Sequence, residues 1–364
     1  MNHNIRLQRQ CMTDVVPDDL PTCASTVTSR SRHRLLVLGS ERSGSTWIAQ
    51  VLCRASNAQY VHEPDNPEFS PAARDAQALG IFPVLCDRVD GRGALTAPSV
   101  EPTGDISESL QKYDDLWELA FSGRRPIRQL PRWTENTLHK VPKVIRPSVR
   151  RAGALSLLAL RRVQLVASNN RMPHTDAATP LLVKSVHGNF AAEWIVRHHQ
   201  PSAVVLVCRN PAAIASSLIE FGTGPSRIQQ IRAVYEHPTI QERFVSRLHL
   251  PPLPVRLSVP EACAWWGAFC NVYLHELRST HPDWILADHD AITAAPDSGF
   301  QKLFNDLGFS RTVAVDRFLS ESNRPGQGFT PQRLTATASD RWRHVLGNHE
   351  AEVLSVTRWL VSFS

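Results

Sequence analysis

One stretch dictates what this chain can fold into: Leu35-Leu36-Val37-Leu38-Gly39-Ser40-Glu41-Arg42-Ser43-Gly44-Ser45-Thr46-Trp47. Four consecutive apolar residues bounded by Gly39 predict a strand covered on both faces, as in a parallel sheet. From Ser45 the period changes, and Trp47, Ile48, Val51 and Leu52 fall at helical spacing. Between strand and helix lies a loop of small hydroxyl residues with Gly39 and Gly44. Such a loop turns backbone N–H groups toward an anion, and the helix N-terminus adds the positive end of its dipole. Arg42 adds a full charge. The expectation is an α/β protein with a phosphate or sulfate cradle at this turn.

The spacing comes close to the nucleoside-triphosphate loop G-x-x-x-x-G-K-[ST]. Gly39 and Gly44 are in place, and Thr46 stands where the last hydroxyl belongs, but Ser45 replaces the lysine. That lysine reaches the outer phosphates in kinases and ATPases, so its loss argues against ATP chemistry. A P-loop kinase-like phosphotransferase stays as the alternative, with Asp288 as its weak magnesium candidate.

With 364 residues the chain has room for one large α/β domain or two smaller ones. The net charge of +6 suits an anionic ligand, yet the basic residues are spread out, and no nucleic-acid partner is expected. The seven cysteines form no framework and read as reduced thiols of a cytoplasmic protein. No H-E-x-x-H or C-x-x-C spacing occurs, so no metal site is expected. No run of about 18 apolar residues predicts a transmembrane helix. Residues 1–30 lack an apolar h-region and read as a loose tail. One domain is expected over 31–364, with 66–178 as a largely helical insert. The oligomeric state is left open.

Further strand–turn–helix signals follow in order. Gln59 to Pro64 reads as a short strand with Glu63 at its C-terminal end, the edge where ligands bind in open α/β sheets. Within the insert, Asp105 to Phe121 has helical periodicity, and Arg150 to Val166 is a basic amphipathic helix read as packing over the core. Leu181 to Lys184 is a second short strand, followed by Ser185-Val186-His187-Gly188-Asn189. Ala203 to Cys208 is the clearest buried strand; it ends in Arg209-Asn210-Pro211, and a helix to Ile219 carries Ser217. Pro211 suits a first helical position. Arg209 and Ser217 together suit a phosphate, provided the helix bends back over the strand end. Ser226 to Pro260 looks mixed and partly looped, Pro260 to Thr280 is a strong helix, and Trp284 to Ala287 is a last strand before Asp288-His289-Asp290. A helix stopped by Gly308, a loop over 323–328 and an amphipathic C-terminal helix complete the chain.

Two anion-type turns separated by more than a hundred residues imply a ligand with two anionic groups. Here the chain resembles the sulfotransferases that use 3′-phosphoadenosine 5′-phosphosulfate (PAPS). Arg42-Ser43-Gly44-Ser45-Thr46 matches that family's 5′-phosphosulfate loop. Arg209-Asn210-Pro211 with Ser217 matches its 3′-phosphate segment. The resemblance covers roughly 34–63 and 180–309 and lies nearest the carbohydrate-type and bacterial members. Asp288-His289-Asp290 and the helix ending Leu307-Gly308-Phe309 look like the family's later core, although its usual tyrosine–glutamate pair is absent.

The resemblance implies a P-loop-like parallel sheet flanked by helices. It also implies PAPS as donor, the bisphosphate PAP as product, no metal, and a hydroxyl on a glycan or small molecule as acceptor. Glu63-Pro64 looks like the segment where carbohydrate sulfotransferases keep their base. His187 is the rival base, by likeness to a Lys-x-His pattern that is one residue longer here. Arg42 and Lys184 are expected to stabilise the leaving group. Ser43, Gly44, Ser45, Thr46, Trp47, Arg209, Ser217 and Arg324 are expected to bind the cofactor, Arg324 with Gly326 as a late loop. The run Thr335 to Ser339 is a second candidate for that lid.

Overall fold

The computed structural model describes residues 33–67, 70, 72–73, 106–123, 179–222, 224–324 and 341–361. Five strands form one sheet in the order β2-β3-β1-β4-β5: β1 (Arg34–Gly39), β2 (Gln59–His62), β3 (Leu181–Ser185), β4 (Ala203–Cys208) and β5 (Ile285–Asp288). Every pairing is parallel, with Leu36 opposite Val183 on one side and Val204 on the other. All strand C-termini therefore meet along one edge. β1, the strand of the opening motif, is the middle one. Its Leu35, Leu36, Val37 and Leu38 are buried, each contributing about 1.5–3 kcal/mol over an exposed side chain.

Alternate residues of each strand feed two cores. Leu35, Val37, Leu182, Val205 and Val207 face α1 (Ser45–Ala55), α8 (Pro296–Leu307) and α9 (Val313–Ser322), through Ile48, Leu52, Phe300, Phe304, Val315 and Phe318. Leu36, Leu38, Val183, Val204 and Leu206 face the opposite layer. That layer holds α2 (Ile106–Phe121), α3 (Ala192–His199), α4 (Pro211–Glu220), α5 (Gly224–Tyr235) and α6 (Val259–Thr280), with α10 (Arg341–Leu346) and α11 (Glu350–Val361) against it. The short α7 (His289–Ala294) follows β5 directly.

α6 is the long spine of this layer. Ser258 and Glu261 close a capping box at its start, Pro260 sits in its first turn, and Trp265, Trp266, Phe269 and Tyr273 are buried along its length. These aromatics are part of the core. The stretch 226–260 is mixed and partly looped as read: α5 carries Ile228, Ile231, Val234 and Tyr235 at helical spacing with Arg and Gln between them, and irregular backbone follows before α6. Among the described residues, no helix is long and apolar enough to cross a membrane. The tail 1–30, the basic helix 150–166, Gly326 and the run 335–339 lie outside the described residues.

Candidate functional site

The loop after β1 is a tight turn whose geometry needs its glycines. Gly44 has φ +85°, and a Cβ there would come within 2.1 Å of His289 Cδ2. A Cβ on Gly39 would lie 2.7 Å from Ser43 Oγ and 3.0 Å from the Val207 carbonyl oxygen. Gly44 is the N-cap of α1; no side chain caps it, and the first turn carries no acidic residue. The N–H groups of Gly44, Ser45 and Thr46 donate to no acceptor among the described residues. The helix N-terminus is thus left open to an anion. Ser43 is fully buried, and its N–H donates to the Ser40 carbonyl at 3.1 Å.

Arg42 is a non-glycine residue at φ +68°, a conformation that costs roughly 1–2 kcal/mol for an L-residue. Its Nε donates to Ser217 Oγ at 2.7 Å, and its guanidinium lies 5.0 Å from the Phe221 ring centroid. Arg209 Nη1 donates to the Arg42 carbonyl at 2.8 Å. The two strand–turn–helix units are therefore joined directly. Arg209 and Ser217 both meet at Arg42, Arg209 on its carbonyl and Ser217 on its Nε.

The end of β5 locks both turns. Asp290 accepts from the Asn210 N–H at 2.5 Å and lies 3.9 Å from Arg209 Nε. Asn271 of α6 donates to the Arg209 carbonyl at 2.5 Å. His289 packs on Gly44 and edge-on to Trp47, with ring centroids 5.9 Å apart. Burial holds its imidazole below the ordinary histidine range. Asp288, the alternative magnesium ligand, instead caps α7 by accepting from the N–H groups of Asp290 and Ala291 at 2.8 and 3.0 Å.

Glu63 follows β2 with φ +45°. Its N–H donates to the Lys184 carbonyl at 2.6 Å, its Oε1 accepts from Lys184 Nζ at 2.5 Å, and its Oε2 accepts from Asn66 Nδ2 at 2.9 Å. Burial pushes this carboxyl up, but Lys184, His62 and His187, with the lysine hydrogen bond, pull it well below the carboxylate range. Lys184 is 1% exposed at the end of β3, so its ammonium depends on Glu63 for compensation. His187 begins the turn after β3, half-buried, with Glu41, Glu63 and Asp65 as its acidic neighbours. It occupies an N-cap position but makes no side-chain cap there.

Asp65 was not singled out in the sequence. It accepts from Ser185 Oγ at 2.6 Å, and that hydroxyl accepts in turn from the N–H groups of His187 and Gly188, each at 2.9 Å. Burial raises the Asp65 carboxyl above its ordinary range. The network fixes the turn that carries His187. Trp47 donates from Nε1 to Ser322 Oγ at 3.1 Å and lines an open cavity of about 320 Å³ with Pro296, Arg311 and Leu319. Arg324 is exposed at the end of a described segment, beyond α9.

No protein-family model matches the chain, and no curated protein sequence matches it either. Among solved structures the chain is similar to the sulfotransferase STF9 of Mycobacterium avium, at 12% identity over 90% of this chain and 77% of that one, with a TM-score of 0.33. A likeness at that level carries no argument about this chain.

Proposed function

We propose that this protein is a PAPS-dependent O-sulfotransferase. One observation carries the reading: an uncapped helix N-terminus at Gly44, Arg42 bonded by its side chain to Ser217 and by its carbonyl to Arg209, and the Glu63–Lys184 pair all lie at the C-terminal edge of one parallel sheet. The donor set fits a ligand with two anionic groups. The open N–H groups of Gly44, Ser45 and Thr46 suit the 5′-phosphosulfate, Arg209 and Ser217 suit the 3′-phosphate, and Arg42 lies between them. The Trp47 ring offers an apolar face to the purine. PAPS, when bound, supplies an activated sulfuryl group.

This chain's residues then manage charge and one proton. The acceptor hydroxyl gives its proton to Glu63 as its oxygen bonds to sulfur and the bond from sulfur to the phosphate oxygen breaks. While salt-bridged to Lys184, Glu63 is a weak base. With PAPS bound, Lys184 would be the group to meet negative charge on the leaving oxygen, and its ammonium would then draw away from the carboxylate. Glu63 then becomes more basic at the moment a proton must be taken. The insert 66–178 is assigned to acceptor recognition, the acceptor being a glycan or small-molecule alcohol.

The test is incubation of the purified protein with PAPS and a panel of alcohols, read by mass spectrometry for an added sulfate. Sulfate transfer is expected without added metal; magnesium-dependent use of ATP instead would favour the kinase-like alternative. In Glu63→Gln, turnover is expected to fall by about 10²-fold or more, the scale of general-base effects, with bisphosphate affinity kept. Lost affinity would make Glu63 structural, and surviving turnover would move the base to His187.

A further inference from the structure

Glu41 is an odd residue to find in an anion loop. Its carboxylate stands one position before Arg42 and cancels that residue's charge. The structure gives it an internal partner. Glu41 Oε1 accepts from Arg227 Nη1 at 3.0 Å, and Oε2 accepts from Trp266 Nε1 at 2.9 Å. Arg227 is itself buried on α5, with Nη1 also donating to Gln230 Oε1 at 2.5 Å and its guanidinium 5.5 Å from the Trp266 ring centroid. Trp266 belongs to the spine helix α6. Both carboxylate oxygens are thus committed to the helical layer behind the loop.

We propose that Glu41, Arg227 and Trp266 form a charge-neutral anchor that holds the loop in its anion-binding shape and keeps the Glu41 charge from opposing the ligand. Glu41 and Arg227 are positioning residues: they act through the backbone of Arg42 and through the field at the loop, without touching the ligand. The anchor rests on the sulfonucleotide reading only for the choice of bisphosphate as probe. Two features favour it over a merely structural ion pair. Arg42 occupies a left-handed conformation that its neighbours must enforce, and Glu41 is the adjacent residue bonded to two separate helices. An unpaired carboxylate within one residue of the site would also repel a phosphate through a poorly screened interior.

The charge logic gives the anchor a test that stability alone does not mimic. Full-length wild type, Glu41→Gln, Arg227→Met and the double variant are titrated calorimetrically with adenosine 3′,5′-bisphosphate and, separately, with pyrophosphate. Arg227→Met is expected to weaken binding by roughly tenfold or more, because the Glu41 charge is left uncompensated. Glu41→Gln is expected to cost less, and the double variant to regain most of the loss. The Arg227→Met deficit is expected to grow as pH rises and the stranded carboxyl deprotonates, and this growth vanishes in the double variant. The groups facing Glu41 are Arg227 of α5, Trp266 and Cys270 of α6, and His187 of the turn after β3; all are present in every variant except Arg227.

Additive losses without recovery, or unchanged affinity in folded Arg227→Met, overturn the anchor. If Arg227→Met does not fold, Arg227→Lys replaces it. Retaining the charge but not the fork, it is expected to bind within about threefold of wild type, and a larger loss counts against the charge argument. Wild type that binds pyrophosphate but not the bisphosphate sinks the sulfonucleotide reading and leaves the anchor to be judged on the pyrophosphate arm. Wild type that binds neither ends both.

Discussion

The two turns that face each other at the sheet edge are built alike and finished differently. After β1, the helix begins at a left-handed glycine with no side-chain cap and no acidic residue in its first turn. After β4, the helix begins at Asn210, whose Oδ1 accepts from the Ala212 N–H at 2.8 Å, with Pro211 next. Proline brings no N–H, so two of the usual orphan donors at that end are gone before any ligand arrives. The first turn can grip an anion with its backbone. The second has spent most of its backbone, the Asn210 N–H going to Asp290, and offers mainly the side chains of Arg209 and Ser217. Shape governs one half of the site and charge the other.

The sharpest way to break this contrast is Gly44→Ala. An alanine there carries the left-handed penalty of roughly 1–2 kcal/mol and an overpacking cost of roughly 1–3 kcal/mol against His289. Bisphosphate affinity is expected to fall by roughly a hundredfold, equally at low and high salt, in a protein with an unchanged circular dichroism spectrum. Arg42→Met comes next. It removes a charge but keeps a stem to lie on Phe221, and a lost charge-assisted bond predicts roughly a ten- to hundredfold weaker complex. This deficit shrinks as salt is added. A salt-sensitive Gly44→Ala, or a salt-insensitive Arg42→Met, would show that shape and charge are not divided between the turns as described.

Much of this division was legible in the sequence where it is local. The glycine spacing, the switch of period at Ser45 and the Arg209-Asn210-Pro211 turn each sit within a dozen residues. The carboxylate at the end of β2 and the lysine at the end of β3 were readable as chemistry at the right edge. What holds these parts in place was not readable. Asp290 reaches Asn210 across 80 residues, and Asn271 reaches Arg209 across 62. No pattern of apolar residues encodes such polar contacts. α9 escaped the sequence reading because its core face, Val315, Phe318, Leu319 and Ser322, is a short signal on a ten-residue helix.

Ser217 tests the charge half more gently. Its hydroxyl accepts from Arg42 Nε, so Ser217→Ala removes a partner while leaving the guanidinium in place. A neutral acceptor contributes about 0.5–1.5 kcal/mol, which predicts a loss of bisphosphate affinity of roughly two- to tenfold. A loss as large as that of Arg42→Met would mean that the serine fixes the arginine's position rather than adding one bond beside it.

The smallest effect on binding is expected at Asn210, and it decides whether the contrast is real. Asn210→Ala strips the cap from α4 and is expected to cost about 1 kcal/mol of stability in denaturant melts. The Arg209 backbone keeps two holds that do not involve the Asn210 side chain: its carbonyl accepts from Asn271, and the next N–H donates to Asp290. Affinity for the bisphosphate is therefore expected to stay within about twofold of wild type, since the capped N–H is not offered to ligand. If affinity falls with stability, the start of α4 is a second backbone cradle. The cap at Asn210 then competes with the ligand for the same donors, and the two turns are equivalent after all.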